Sequence, residues 1–238
     1  VTNSANRRYL SGFTGGVRAV LVTKKKAYLL VDFRYTDQAK EQAPELEIKE
    51  FKTNQLKVLS ELIDELNLEQ LGFEARDLSY HRYVQYKKNL EVDLQAAKNL
   101  VNKLRSKKDK TEIEKITRAV EITDRAFAKL KDWVRPGVTE KEVELKLEFW
   151  QKEAGASDKA FDFIVASGER AALPHGTASD KQIKAGELLK VDFGCVYKGY
   201  HSDMTRVVVI GREPTNRQQE IYELVLAAQK KALAAIEA

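Results

Sequence analysis

Two aspartates, Asp192 and Asp203, stand eleven positions apart in LKVDFGCVYKGYHSDMTRVVVIG, residues 189–211. Both lie in runs that otherwise read as strand, where Asp is disfavoured. With Lys198-Gly199 as a two-residue hairpin loop, Gly199 supplying positive φ, Tyr197 pairs with Tyr200. Asp203 then lies opposite Gly194, and Asp192 opposite Thr205. Side chains alternate with period two, so the two carboxylates become diagonal neighbours on one face, their Cβ atoms roughly 7–8 Å apart or less. Gly194 keeps a side chain out of the space between them. Two like charges at that range repel, whereas cations between them reverse the sign of the interaction. Two metal ions about 3.5–4 Å apart fit such a gap. The competing reading is a pair of solvent-facing aspartates, and a one-residue slip would put the two on opposite faces.

Other residues with chemistry are few. His175 follows Pro174 and precedes Gly176 in the polar loop GERAALPHGTASDKQIKAGE, where a histidine by itself reads as surface. His201 lies two residues before Asp203 on the same face, so spacing alone recruits it as a ligand. His81 sits in a charged, aromatic helical segment and reads as surface. Cys195 faces away from the aspartates and reads as core rather than nucleophile. Thr205, across from Asp192, is placed to support a metal-binding carboxylate by a hydrogen bond.

The elements that must position these residues divide the 238-residue chain in two. Residues 1–105 alternate strand-like and helix-like segments. VRAVLVT (17–23) and AYLLVDF (27–33) read as a hairpin around Lys24 to Lys26, and YTDQAKEQA as a helix stopped by Pro44. LEIKEF (46–51) and QLGFE (70–74) read as strands, QLKVLSELIDEL (55–66) and SYHRYVQYKKNL (79–90) as helices. The expectation is a small α/β domain with helices on a mixed sheet. The charged stretch RSKKDKTE (105–112) marks a boundary. Beyond it, Ile113, Ile116, Val120, Thr123, Phe127, Leu130 and Val134 predict one long helix with a buried stripe. Thr139 and Glu142 predict a capping box opening a second helix. The strand FDFIVAS (161–167), the polar loop and the hairpin follow, an α+β half. PTNRQQEIYELVLAAQKKALAAIEA predicts a last helix, capped by Thr215 and Gln218 and running to Ala238 with no stop signal.

Composition narrows the classes. Hydrophobic residues make up 43% of the chain, and the net charge of +5 is spread through interspersed acids and bases, which argues against a nucleic-acid partner. The single cysteine precludes an internal disulfide and fits a reducing, cytoplasmic setting. No apolar run approaches the roughly 18 residues of a membrane span.

IVASGERAALPHG followed by KVDFG and SDMTR resembles the pita-bread metallopeptidases, in the branch of Xaa-Pro aminopeptidase (aminopeptidase P) and prolidase (Xaa-Pro dipeptidase). NRRYLSGFTG (6–15) and DFRYTDQA (32–39) are similar to the creatinase-type N-terminal domain of that branch, and KTEIEKITRAVEITDRAF to the first catalytic-domain helix. The resemblance implies a creatinase-like domain over residues 1–105 and the first half of a pita-bread domain over 106–238. It implies that Asp192 chelates one metal, that Asp203 bridges two, and that His175 contacts substrate; it gives His201 no ligand role. It implies two divalent ions, Mn²⁺ first with Co²⁺ or Zn²⁺ as alternatives, and hydrolysis of the Xaa-Pro bond in proline-containing peptides by water activated between them. A homodimer is implied as well, with Arg34 and Tyr35 near a partner's site by looser analogy. The family also requires one more His and two Glu, in motifs that these residues do not contain. The expectation is therefore a chain cut within its catalytic domain and inactive alone. The alternative is a catalytically dead pita-bread module used for binding.

Overall fold

The computed structural model describes residues 1–236. The chain forms two compact units, Val1–Lys107 and Lys108–Ala238. Among the described residues no helix is long and apolar enough to cross a membrane.

The first unit runs α1 (Ser4–Ser11), β1 (Val17–Val22), β2 (Ala27–Asp32), α2 (Thr36–Gln42), β3 (Glu47–Phe51), α3 (Gln55–Glu65), β4 (Gln70–Glu74), α4 (Tyr80–Asn89), β5 (Asp93–Ala97) and α5 (Leu100–Ser106). β2 pairs antiparallel with β1 and parallel with β3, giving a mixed three-stranded sheet. Its two faces enter separate cores. Tyr28 and Leu30 pack with Leu59, Leu62 and Ile63 of α3, while Leu29 and Val31 pack with Phe13 and Ala39. β4 and β5 form a second, parallel pair, so the strands make two sheets rather than the single mixed sheet expected. β5 and α5 carry no clean sequence signal: DLQAA has no β-branched or aromatic residue, and no residue of α5 is buried.

The second unit runs α6 (Lys110–Trp133), α7 (Glu140–Glu153), β6 (Asp158–Lys159), β7 (Ile164–Ser167), β8 (Leu188–Phe193), β9 (Cys195–Tyr197), β10 (Tyr200–His201), β11 (Met204–Val209) and α8 (Asn216–Ala234). The expected capping boxes of α7 and α8 form, on Thr139 with Glu142 and on Thr215 with Gln218. The strands build two three-stranded sheets, β11-β8-β7 and β10-β9-β6, and the long hairpin threads both. Leu189, Val191 and Phe193 of β8 join Ala126, Leu130, Val143 and Leu147 of the two long helices in one core.

The stripe of α6 differs from the expected one. Thr123 and Leu130 are buried as expected, and Phe127 and Val134 pack against the core, but Ile113 and Val120 are 53% and 43% exposed and Ala119, Ile122 and Ala126 are buried instead. The helix turns its small residues inward: Ala119 and Ile122 pack against Cys195 at the start of β9. An alanine leaves room for a backbone to approach closely, whereas a valine or isoleucine there would hold the helix off. No residue of α8 is buried: Ile221, Leu224 and Val225 are exposed, as is Ile236 just past its end.

Candidate metal and substrate site

β8 is the centre strand of its sheet, and its burial alternates residue by residue. Leu189, Val191 and Phe193 face the helical core, which turns Leu188, Lys190 and Asp192 to the other side. The hairpin register is the expected one: Tyr200 pairs with Tyr197, and Thr205 with Asp192. Lys198 and Gly199 at its tip both have positive φ, 47° and 83°, as a tight two-residue turn requires.

The ladder is interrupted at Gly194. The amide of Cys195 donates to the Ser202 hydroxyl oxygen at 2.9 Å, while the Ser202 amide donates to the Cys195 carbonyl at 3.0 Å. No residue is inserted, because His201 pairs with Val196 before the break and Met204 with Phe193 after it. Asp203 therefore keeps its place across from Gly194 and is exposed, while the neighbouring pair Ser202 and Cys195 is buried; by alternation it falls on the side of Asp192. A Cβ at Gly194 would lie 1.9 Å from the Ser202 carbonyl oxygen and 3.2 Å from the Asp203 Cα. Glycine is thus required by the close opposing backbone more than by space between carboxylates.

Beneath the break lies a buried polar knot. The hydroxyls of Thr123 and Ser202 are 2.6 Å apart, and Thr123 also donates to the Ala119 carbonyl at 3.1 Å. Tyr200 donates to Glu112 at 2.8 Å, tying the hairpin tip to the first turn of α6. The hairpin is therefore fixed at the tip and at the break, with Asp203 next to the second anchor.

The loop bearing His175 is fastened over the same face. Thr177 bridges Ile164 of β7, and Ile164 pairs with Asp192, so Thr177, Ile164, Asp192 and Thr205 form one row across the sheet. Gly176 sits against Ala166; a Cβ there would come within 3.1 Å of the Ala166 Cβ. The Lys190 ammonium donates to the Leu173 carbonyl. Lys190 stands two residues before Asp192 on its side of the strand, so it anchors the Pro174-His175-Gly176 turn to the sheet face that bears Asp192. His175 itself is exposed at the loop tip.

Cys195 is fully buried beside Ala119. His201 is exposed on β10, and His81 is exposed on α4 of the other unit. Arg34 forms an ion pair with Asp32 at 2.7 Å. Thr205 is exposed and makes no hydrogen bond to Asp192, contrary to the supporting role expected of it.

Asp192 Oδ1 is buried and has no hydrogen-bond partner. A carboxylate oxygen in that state is costly to bury, and a hard, oxygen-preferring divalent cation satisfies it. The donor set therefore fits such an ion in type: two carboxylates on one side of a sheet. It does not form a full cage, because among the described residues no three His, Cys, Asp or Glu side chains converge as metal ligands.

Two features at the base of the loop carry no signal that singled them out in the sequence. Glu140, the first residue of α7, is fully buried and accepts hydrogen bonds from Ser167, Arg170 and Ser179. Burial pushes its carboxyl up, but the bonds from Ser179 and Ser167 and the nearby Arg170 charge outweigh that and hold it below the usual carboxylate range. Lys181 bridges Ser167 and Glu187, at 2.8 and 2.6 Å.

Residues 114–238 match Metallopeptidase family M24, and residues 1–107 match the Creatinase/Prolidase N-terminal domain. An uncharacterized peptidase of Bacillus subtilis is 39% identical over 99% of this chain and 67% of its own length. A Xaa-Pro dipeptidase of Pyrococcus furiosus is 41% identical over 87% of this chain and 61% of its own. Among solved structures, a Xaa-Pro dipeptidase from Bacillus anthracis superposes with a TM-score of 0.95 at 42% identity, covering 100% of this chain and 66% of that one. An X-Pro aminopeptidase from Thermotoga maritima gives 0.92 at 38% identity, covering 98% and 66%. The chain thus spans about two thirds of the length of these relatives. With both domain models matched and these structures superposing over nearly the whole chain, the chain belongs to metallopeptidase family M24, as a creatinase-type N-terminal domain followed by pita-bread catalytic-domain structure.

Proposed function

We propose that the whole protein is a metal-dependent peptidase that hydrolyses the Xaa-Pro bond at the N-terminus of peptides or in dipeptides. The observation that carries this reading is the unpartnered, buried Asp192 Oδ1, on the side of the sheet that also bears Asp203 and the His175 loop. The names of the Pyrococcus and Bacillus relatives support the substrate class.

Asp192 and Asp203 would hold divalent ions, Mn²⁺ before Co²⁺ or Zn²⁺, because the donors are oxygens and the neighbouring Cys195 thiol is buried against Ala119. Such ions, when bound, supply Lewis-acid activation of the attacking water and of the scissile carbonyl. The chain's own residues do the rest. Asp203, next to the buried Thr123–Ser202 anchor, presents its carboxylate from a fixed backbone, so little ordering is left for binding. His175, exposed on an anchored turn, donates a hydrogen bond to the carbonyl oxygen as it gains charge, or to the proline side of the substrate. The nitrogen of a bond to proline carries no hydrogen, so no subsite can recognise it through an amide donor. Selectivity then falls to the shape of the surface around His175.

Mutant kinetics with metal analysis test the reading. Manganese-loaded whole protein is expected to cleave Xaa-Pro substrates and leave matched Xaa-Ala substrates nearly untouched. Asp203→Ala should lose both metal and activity. His175→Ala should keep most of the metal and lose roughly 10²-fold in rate, the usual scale for one oxyanion donor. A fully metallated protein that cleaves no Xaa-Pro peptide of any length would replace this reading with the binding-module alternative.

A further inference from the structure

The loop that carries His175 is gathered at its base by a single carboxylate. Glu140 Oε1 accepts from the Ser167 amide at 2.7 Å and the Ser167 hydroxyl at 2.9 Å. Glu140 Oε2 accepts from the Ser179 amide at 3.1 Å, the Ser179 hydroxyl at 2.7 Å and Arg170 Nε at 3.2 Å. One oxygen therefore holds the residue where the loop leaves β7, and the other holds a residue where it returns. Arg170 continues the connection inward, donating from Nη2 to the Thr177 carbonyl at 2.7 Å. Thr177 is two residues from His175 and forms the bridge to Ile164 beside Asp192.

We propose that Glu140 is a positioning residue for His175: its two carboxylate oxygens close the base of the loop and so set the histidine's place over the Asp192 face. This rests on the catalytic reading of His175 given above. The chemistry asks for a carboxylate. Both oxygens must accept, and a carboxylate is acceptor-only with about four lone-pair sites. An amide offers one accepting oxygen and turns an NH₂ group toward donors at the other end, leaving a buried amide of Ser167 or Ser179 without a partner. A loop freed at one end moves its tip, and misplacement of a reacting group by about 1 Å costs on the order of 10²-fold. Glu140 lies at the other end of the loop from His175 and touches no proposed metal ligand, so its loss should act on the rate through the histidine and leave metal content alone.

A mutant cycle on the whole protein tests this, with manganese content measured on every variant. Glu140→Gln is expected to lower kcat about tenfold or more, with metal content retained and KM changed less. Placed in a His175→Ala background, the same substitution should cause no further loss. Ser179→Ala, which removes one hydroxyl donor and keeps the backbone amide, should give a smaller loss with the same dependence on His175; it carries the test if Glu140→Gln does not fold. Hydrogen exchange in the 238-residue chain should rise within residues 168–181 of Glu140→Gln and stay unchanged in β8. Equal losses with and without His175, loss of metal, or faster exchange throughout the sheet would overturn the positioning role while leaving the peptidase reading intact. A silent His175→Ala would overturn the positioning role together with the catalytic reading of His175, while the turnover it reports would leave the peptidase reading standing.

Discussion

Asp192 and Asp203 matter only if the backbone between them tolerates an unusually close approach. Gly194 provides it. Alanine at that position would drive a methyl to 1.9 Å from the Ser202 carbonyl oxygen, and the opposing strand would have to move. Gly194→Ala should therefore destabilise the second unit by about 1–3 kcal/mol, the range for overpacking, and should weaken manganese binding in the same variant. Denaturant unfolding and calorimetry on one preparation check both; unchanged metal affinity in a destabilised protein would separate the hairpin's packing from its site. The aspartates and Gly194 were legible because their spacing within one hairpin fixes parity. Glu140, Lys190 and Ser202 were not. Glu140 lies directly after the N-cap Thr139, where an acid ordinarily serves the helix dipole in solvent. Its partners Ser167 and Ser179 are 27 and 39 residues away. No local pattern announces a contact of that range.

At the scale of elements, local signals located most helices and strands, while the face each one buries was harder to read. The capping boxes at Thr139 and Thr215 are four-residue patterns with a local mechanism, and both form. The stripe of α6 is decided instead by what it meets. A 3.6-residue period admits neighbouring faces, and the large apolar residues Ile113 and Val120 argued for one of them. The close contact with Cys195 selects the face rich in alanine. Single substitutions distinguish the two faces. Ile122→Ala, at a fully buried position, should cost about 2–5 kcal/mol. Val120→Ala, at a site 43% exposed, should stay within about 0.5 kcal/mol of the unsubstituted protein. Equal losses in thermal unfolding would restore the original stripe. β5 escaped notice for a related reason: its burial does not alternate, so it has no period-two pattern to read.

For the whole molecule, the decisive quantity is the number of oxygen donors brought to one place. Two carboxylates on a sheet face neutralise two charges, short of the four carried by a pair of divalent ions, and among the described residues no third acidic, histidine or cysteine ligand joins them. Hard divalent ions in closed sites take about six oxygen donors each, so most positions would be left to water and affinity would be low. The 238-residue chain is therefore expected to bind Mn²⁺ weakly in calorimetry, with dissociation constants on the order of 10⁻⁴–10⁻³ M, as for weakly liganded oxygen sites. Asp203→Ala should abolish even that heat, since one carboxylate remains. The same chain should show no Xaa-Pro cleavage at saturating manganese, because activating water at neutral pH needs a metal held tightly enough to be present during turnover. Relatives of about one and a half times this length share its fold; a protein of that length with the further histidine and two glutamates should bind the ion far more tightly and turn over. Robust turnover by the 238 residues alone would show that a sufficient ligand set is already present, and the count from which this expectation starts would be wrong.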